Sequence, residues 1–376
     1  MCELPSLSLY IHIPWCIKKC PYCDFNSHTL RGELPDIEYV QHLLNDLEQD
    51  LPFISKRQIR TIFIGGGTPS LLSGKVIKIL IEGIYARLSL ISNPEITIEA
   101  NPGTVEVNRF ISYQEAGINR ISIGIQSFNL QQLISIERVH SPDDALQAAY
   151  IASCLKLRSF NFDLMYGLPN QSLEDALEDI QKAISFNPFH LSWYQFTIEP
   201  NTLFSANPPK LPNDDLLWDI FEQGNYLLTR SGYKQYEISA YCKPGYYCEH
   251  NLNYWYFGDY IGIGCGAHGK LTQLDGRIFR TIKTRNPYSF MKGSYLFKRY
   301  ELADSDKPFE FFVNRFRLLE KIPRSDFQFY TGMNEKVIRP NINQAISAGY
   351  LLETNNFWIT TQKGRLFLNY LLEFFL

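Results

Sequence analysis

The sequence predicts an α/β fold: six strands alternate with helices to form a parallel sheet that curls into a barrel or part of one, followed by a smaller α-rich domain. Three observations carry this. Six β-rich runs separated by helical apolar patterns lie between residues 7 and 198. Polar or glycine residues end those runs, where α/β barrels build their active sites. After Glu199 the rhythm breaks into proline-rich, then aromatic and glycine-rich, then helical sequence. Strands alternating with helices through right-handed crossovers give a parallel sheet.

Leu7 to Ile13 is the first strand, and Pro35 to Leu51 follows with Ile37, Val40, Leu43, Leu44 and Leu47 at helical spacing, Pro35 standing where a helix can start. Thr61 to Ile64 is the second strand; it runs into Gly65-Gly66-Gly67-Thr68-Pro69 and a helical pattern from Lys75 to Leu90. Glu95 to Glu99 alternates as the third, Asn101-Pro-Gly breaks it, and Thr104 to Ala116 reads as a helix closed by Gly117. Arg120 to Ile125 is the fourth, with Gln126 at its end and a helical region reaching about Leu155. Ser159 to Met165, a helix from Ser172 to Phe186 and a strand from His190 to Ile198 complete the series. Proline-rich Asn207 to Pro212 then leads to a helix around Asp214 to Thr229, and Tyr233 to Lys270 is dense in aromatics and glycine. From about Asp304 the pattern is helical, with a Phe309 to Leu319 stripe and an amphipathic end around Trp358. These shifts divide the chain into residues 1–235, 236–303 and 304–376.

A chain of 376 residues with 45% hydrophobic and 20% charged residues can bury a large core. Its net charge of -3, without a basic stripe, argues against nucleic acid as a partner. No apolar-cored leader opens it and no apolar run is long enough to span a bilayer, so a cytoplasmic protein is expected. Leu366 to Leu376, interrupted by Asn369 and Glu373, reads as a docked terminal helix and leaves room only for peripheral membrane contact. The oligomeric state, a homodimer included, stays open. Eight cysteines in so long a chain are no disulfide framework.

Three of those cysteines lie in Tyr10-Ile-His-Ile-Pro-Trp-Cys16-Ile-Lys-Lys-Cys20-Pro-Tyr22-Cys23-Asp-Phe25. Three thiolates on one loop leave a four-iron cluster with one iron unligated by protein, and that iron can hold a small molecule. The alternatives are three buried free cysteines or a zinc site, and no fourth ligand completes a zinc pattern nearby. The spacing, with Tyr10, His12, Pro14 and Tyr22, resembles the cluster motif of the radical S-adenosylmethionine superfamily. More narrowly, it resembles the branch holding oxygen-independent coproporphyrinogen III oxidase and the heme chaperones related to it.

The resemblance implies a partial (β/α)6 TIM-like barrel, a winged-helix-like C-terminal domain, a [4Fe-4S] cluster on Cys16, Cys20 and Cys23, and S-adenosylmethionine on the open iron. Glycines 65 to 67 have no side chain to block a ligand, so backbone can approach it closely. Glu99, Gln126 and Asp163 end successive strands and match the family's cofactor-binding residues, as do Tyr10, Gly66, Gly67, Thr68 and Arg138; Tyr22 joins them beside the last cysteine. Glu137, before Arg138-Val-His140, stands where the family has glycine.

The run His250-Asn251-Leu-Asn-Tyr254-Trp255 resembles a signature of the chaperone branch associated with heme. A neutral imidazole can ligate heme iron and aromatic rings can cover a porphyrin, while a histidine hydrogen-bonded within an aromatic core is the plainer alternative. A zinc site from Cys242, Cys248, His250, Cys265 and His268 fits no paired-ligand spacing. Gly264-Cys-Gly266-Ala-His-Gly269 formally fits a dinucleotide fingerprint, but the sequence after it reads as strand and turn, not helix.

Oxidases of the branch carry a fourth cysteine two residues after the third, where this chain has Phe25, and an N-terminal extension that this chain lacks before its first strand. The reading is therefore a heme chaperone that passes heme to acceptor hemoproteins, with the radical decarboxylation of coproporphyrinogen III as the alternative.

Overall fold

The structure, a computed structural model, describes residues 4–104 and 107–376. One twelve-stranded sheet dominates it. In chain order its strands are β1 (Leu7–Ile13), β2 (Ile59–Gly66), β3 (Leu90–Ala100), β4 (Arg120–Gln126), β5 (Ser159–Tyr166), β6 (His190–Gln195), β7 (Lys234–Gln235), β8 (Ala240–Cys242), β9 (Asp259–Ile263), β10 (His268–Thr272), β11 (Ile278–Lys283) and β12 (Leu296–Glu301). They lie in the order β12-β11-β10-β9-β1-β2-β3-β4-β5-β6-β8-β7. The six consecutive strands β1 to β6 are parallel, as is β9 against β1, while β10 to β12 add an antiparallel meander to that edge. The result is a partial barrel whose first strand sits inside the sheet, which is why Leu7, Leu9, Ile11 and Ile13 are all buried.

The expected strands and helices are present, with their ends moved. The helix expected to reach Leu90 stops at Tyr85, because Leu90 already pairs with Ile59 as the start of a long third strand. That strand tolerates Pro94 because the β2–β3 register slips between Ile59 and Thr61, where no ladder bond is demanded of it. The helix expected from Thr104 runs from Val107 to Glu115 after a short 3-10 turn, and its first residues lie partly outside the described ones. Serine at 141 and at 172 caps its helix with a reciprocal aspartate three residues on.

Register places the cofactor loops. His12 lies beside Gly65 and Ile13 beside Gly66, so the cysteine loop and the glycine loop leave the sheet side by side. Residues 302–375 enclose their own core, in which Phe311, Phe312, Phe327, Trp358 and Phe375 pack, with Phe257 and Ile278 entering from the barrel side. A three-stranded sheet of Ile322–Pro323, Leu351–Glu353 and Phe357–Thr360 completes that unit. Among the described residues no helix is long and apolar enough to cross a membrane.

Candidate functional site

At the carboxyl ends of the parallel strands lies a cavity of about 430 Å³. It gathers Cys16, Cys20, Cys23 and Tyr22 from the loop after β1 with Gly66, Gly67 and Thr68 after β2. Glu99 and Gln126 reach it from the ends of β3 and β4, Asp163 from within β5, and Arg138 from the loop after the helix Leu130–Ser135. The three thiols lie close enough for Cys20 and Cys23 both to act on the charge of Cys16, whose thiol burial pushes up and the Thr68 hydroxyl pulls down. Arg138 Nη1 stands 3.7 Å from Cys20 Sγ, and Ser27 Oγ 3.6 Å from Cys23 Sγ. No set of three or more Cys, His, Asp or Glu among the described residues converges on a single ion.

The carboxylates are held in unusual states. Glu99 Oε2 accepts the Gly66 N–H at 3.0 Å. Burial first, and the nearby Asp163 second, push its carboxyl up to about 8. Asp163 is raised by burial too, against hydrogen bonds from Asn161 Nδ2 at 2.8 Å and Ser122 Oγ at 3.1 Å. Two buried acids facing one cavity favour a cationic ligand, which would let both ionise. Gln126, at a φ of 65°, accepts from the Tyr194 hydroxyl at 3.0 Å.

The glycine loop works differently from the expectation. The N–H of Gly66 goes to Glu99, that of Gly67 to the Ile13 carbonyl at 2.7 Å and that of Thr68 to the Trp15 carbonyl at 2.8 Å, so none of these donors is left for a ligand. Gly66 has a φ of 113°, and a Cβ there would lie 2.5 Å from the His12 ring. Glycine is required here by backbone conformation and by the packing of the two loops as much as by an approaching ligand. Glu137, in place of the family's glycine, adopts a left-handed φ of 54°, and its carboxylate accepts from Lys18 Nζ of the cysteine loop at 2.7 Å.

Tyr10 lines a second cavity, of about 490 Å³, that shares Phe25, Gly66 and Glu99 with the first. Its hydroxyl donates to His12 Nδ1 at 2.9 Å, since His12 Nε2 donates to the Asn26 carbonyl. Phe25, 59% exposed, faces both spaces.

His250 corrects the sequence reading. It is fully buried and lines neither cavity. Thr61 Oγ1 donates to Ser8, so it accepts from His250 Nδ1 at 2.8 Å, and the remaining lone pair on Nε2 accepts the Tyr254 hydroxyl at 2.8 Å. Burial pushes the imidazole down to about 3. With Nδ1 on Thr61, Nε2 on Tyr254 and the ring outside both cavities, His250 is not placed to meet a ligand in either; instead it fixes Tyr254, which does line the second cavity. The sequence reading passed over Ser122 and Tyr194, which alternation along β4 and β6 could have revealed. It also passed over Lys270 and Arg280 of the second cavity, Lys270 standing at the start of a run read only as strand and turn.

A family model for the radical SAM superfamily matches residues 10–183, and one for the HemN C-terminal domain matches residues 302–367. Heme chaperone HemW of Escherichia coli is 64% identical over 376 residues, covering all of both chains. The chain belongs to the HemW family. Heme chaperone HemW of Haemophilus influenzae is 54% identical over 380 residues, covering 100% of this chain and 99% of the relative. Among solved structures, coproporphyrinogen III oxidase HemN of Escherichia coli superposes with a TM-score of 0.83, covering 99% of this chain and 90% of that one. At 22% identity it shows the shared fold. Membership of the radical SAM superfamily implies a [4Fe-4S] cluster and S-adenosylmethionine.

Proposed function

We propose that this protein is a heme chaperone: it binds heme beside a [4Fe-4S] cluster and S-adenosylmethionine and passes heme to acceptor hemoproteins in the cytoplasm. The observation that carries this is identity of 64% along the whole chain with a relative named heme chaperone HemW. Phe25, standing where the oxidases resembled have a fourth cysteine, supports the same reading.

In this reading Cys16, Cys20 and Cys23 ligate the cluster, and Arg138 and Ser27 place hydrogen-bond donors against two of the sulfurs. Glu99 and Asp163 receive the cationic parts of S-adenosylmethionine, Gln126 supplies amide polarity, and the side-chain-free Gly66–Gly67 turn leaves room for the ligand. When bound, a cluster held by Cys16, Cys20 and Cys23 would supply one-electron reducing chemistry toward S-adenosylmethionine. The protein's part is to hold that ligand where buried carboxylates and the Tyr22 and Tyr194 rings shield it from water.

The test is anaerobic. Protein carrying its cluster should bind heme without altering it and deliver it to an apo-hemoprotein whose spectrum reports the gain, and should leave coproporphyrinogen III unconverted in the presence of S-adenosylmethionine and reductant. Formation of protoporphyrinogen IX by the pure protein would assign it to the oxidases.

A further inference from the structure

The heme-chaperone reading leaves open which atom holds the iron, and the second cavity supplies an answer that depends on that reading. We infer that heme lies in this cavity with the imidazole of His268 as an axial ligand, and that His250 is a positioning residue behind it.

The assignment follows by elimination among side chains. Two of the chain's seven histidines line the cavity, and His12 already has both ring nitrogens hydrogen-bonded, Nδ1 to the Tyr10 hydroxyl and Nε2 to the Asn26 carbonyl. His268, at the start of β10, has neither nitrogen so engaged among the described residues, is exposed, and lines the cavity. Four other polar side chains of the cavity are hydrogen-bonded within the protein. The Tyr10 and Tyr254 hydroxyls are bound to His12 and His250, the Tyr260 hydroxyl accepts from Arg280 at 2.8 Å, and Lys270 Nζ donates to Asp259 Oδ1 at 2.8 Å.

The protonation state suits ligation. Partial burial, then the charges of Arg280 and Arg285, lower the pKa of His268, which keeps a lone pair available at neutral pH. Arg285, whose charge acts on His268, is exposed and has no carboxylate partner among the described residues, so it can answer a heme propionate at the cavity's edge, whereas Arg280 in the lining already meets Glu310 and Tyr260. Phe25, Tyr254, Trp255 and Tyr260 give the wall the aromatic surface a porphyrin face requires. Trp255 adds a buried indole N–H that finds no acceptor among the described residues, a donor free for a ligand oxygen. A cavity of this size falls in the range that encloses ligands of several hundred daltons.

His250 acts through Tyr254. It is the second residue of the helix Glu249–Trp255, holds the Tyr254 hydroxyl from one side and stacks on Phe63 with ring centroids 5.0 Å apart. Its loss would loosen the wall without removing the iron's ligand.

The experiment is a titration of the full-length, cluster-loaded protein with ferric heme, followed by absorption and electron paramagnetic resonance. The parent should bind one heme saturably with a nitrogen-ligand signature. His268→Ala should lose that signature and weaken binding by at least about tenfold, with both restored by free imidazole. Iron and sulfide content should be unchanged, because His268 is outside the cluster cavity. His250→Ala should bind more weakly yet keep the nitrogen ligand. If His268→Ala keeps the parent's signature, or His250→Ala alone abolishes it, the assignment to His268 is wrong and the chaperone reading stands. If the parent itself shows no saturable heme binding, the chaperone reading falls and this assignment with it.

Discussion

The cavity above the strand ends and the one beside it share Phe25, Gly66 and Glu99, yet they are built from different materials. The first is made where parallel strands stop, from thiols, two raised carboxyls and a guanidinium. The second is made where an antiparallel meander and a short helix meet, from aromatic rings, one uncommitted imidazole and cations. The first suits a small charged ligand on a cluster, the second a flat apolar one with acidic edges. A chaperone in the proposed sense needs both and needs no radical aimed from one into the other, so the difference bears directly on function.

The sharpest way to break the comparison is to empty the first cavity. Cys20→Ala should reduce iron and sulfide to background after anaerobic reconstitution, whereas Cys154→Ala, on an exposed helix end, should leave both at parent levels. A next perturbation strikes the shared wall. Gly66→Val forces a branched side chain into a φ of 113° and against His12, and should cost about 2–4 kcal/mol. Thermal unfolding should show a lower midpoint, with S-adenosylmethionine and heme binding weakened together; a mutant with the parent's midpoint would show that this contact is slack.

Glu99 offers a finer probe of the first cavity. At neutral pH its carboxyl, pushed up to about 8, keeps its proton in the ligand-free protein, and a cationic ligand selects the ionised form. Binding then expels a proton, so affinity for S-adenosylmethionine should rise with pH by up to about tenfold per unit below that value and level off above it. Calorimetry in buffers of different ionisation enthalpy measures the proton directly, and Glu99→Gln should flatten the pH dependence. The smallest effect belongs to the loop that joins cluster to barrel. Glu137→Gly relieves a left-handed non-glycine residue worth about 1 kcal/mol, set against an exposed Lys18 pair of little value. A slightly higher unfolding midpoint is expected, and a marked fall would mean that Lys18 is essential to the cysteine loop.

Sequence made the first cavity legible and the second nearly invisible, for a physical reason. In a parallel sheet every strand delivers its last residues to one rim, so Glu99, Gln126 and Asp163 could be placed together from strand ends alone. The second cavity draws on residues from Tyr10 to Asn314, brought together by β9 pairing beside β1, and no local pattern encodes that pairing. His250 was misjudged because a motif tells which residues recur together and not which of them faces the ligand; the fold turns it inward to Thr61 and Tyr254. His268 drew notice only as part of an implausible zinc set. The glycine run was found for one of its reasons, ligand access, while positive φ and the contact with His12 became visible only in three dimensions.

The most direct test of the central claim is whether the two ligands occupy the protein at once. Cluster-loaded protein saturated with S-adenosylmethionine would be titrated anaerobically with heme, with bound amounts of both measured after rapid separation. Two separate cavities predict close to one of each per chain, with heme affinity little changed by S-adenosylmethionine. Release of S-adenosylmethionine in step with heme uptake would contradict the account, because it would place both ligands in a single site.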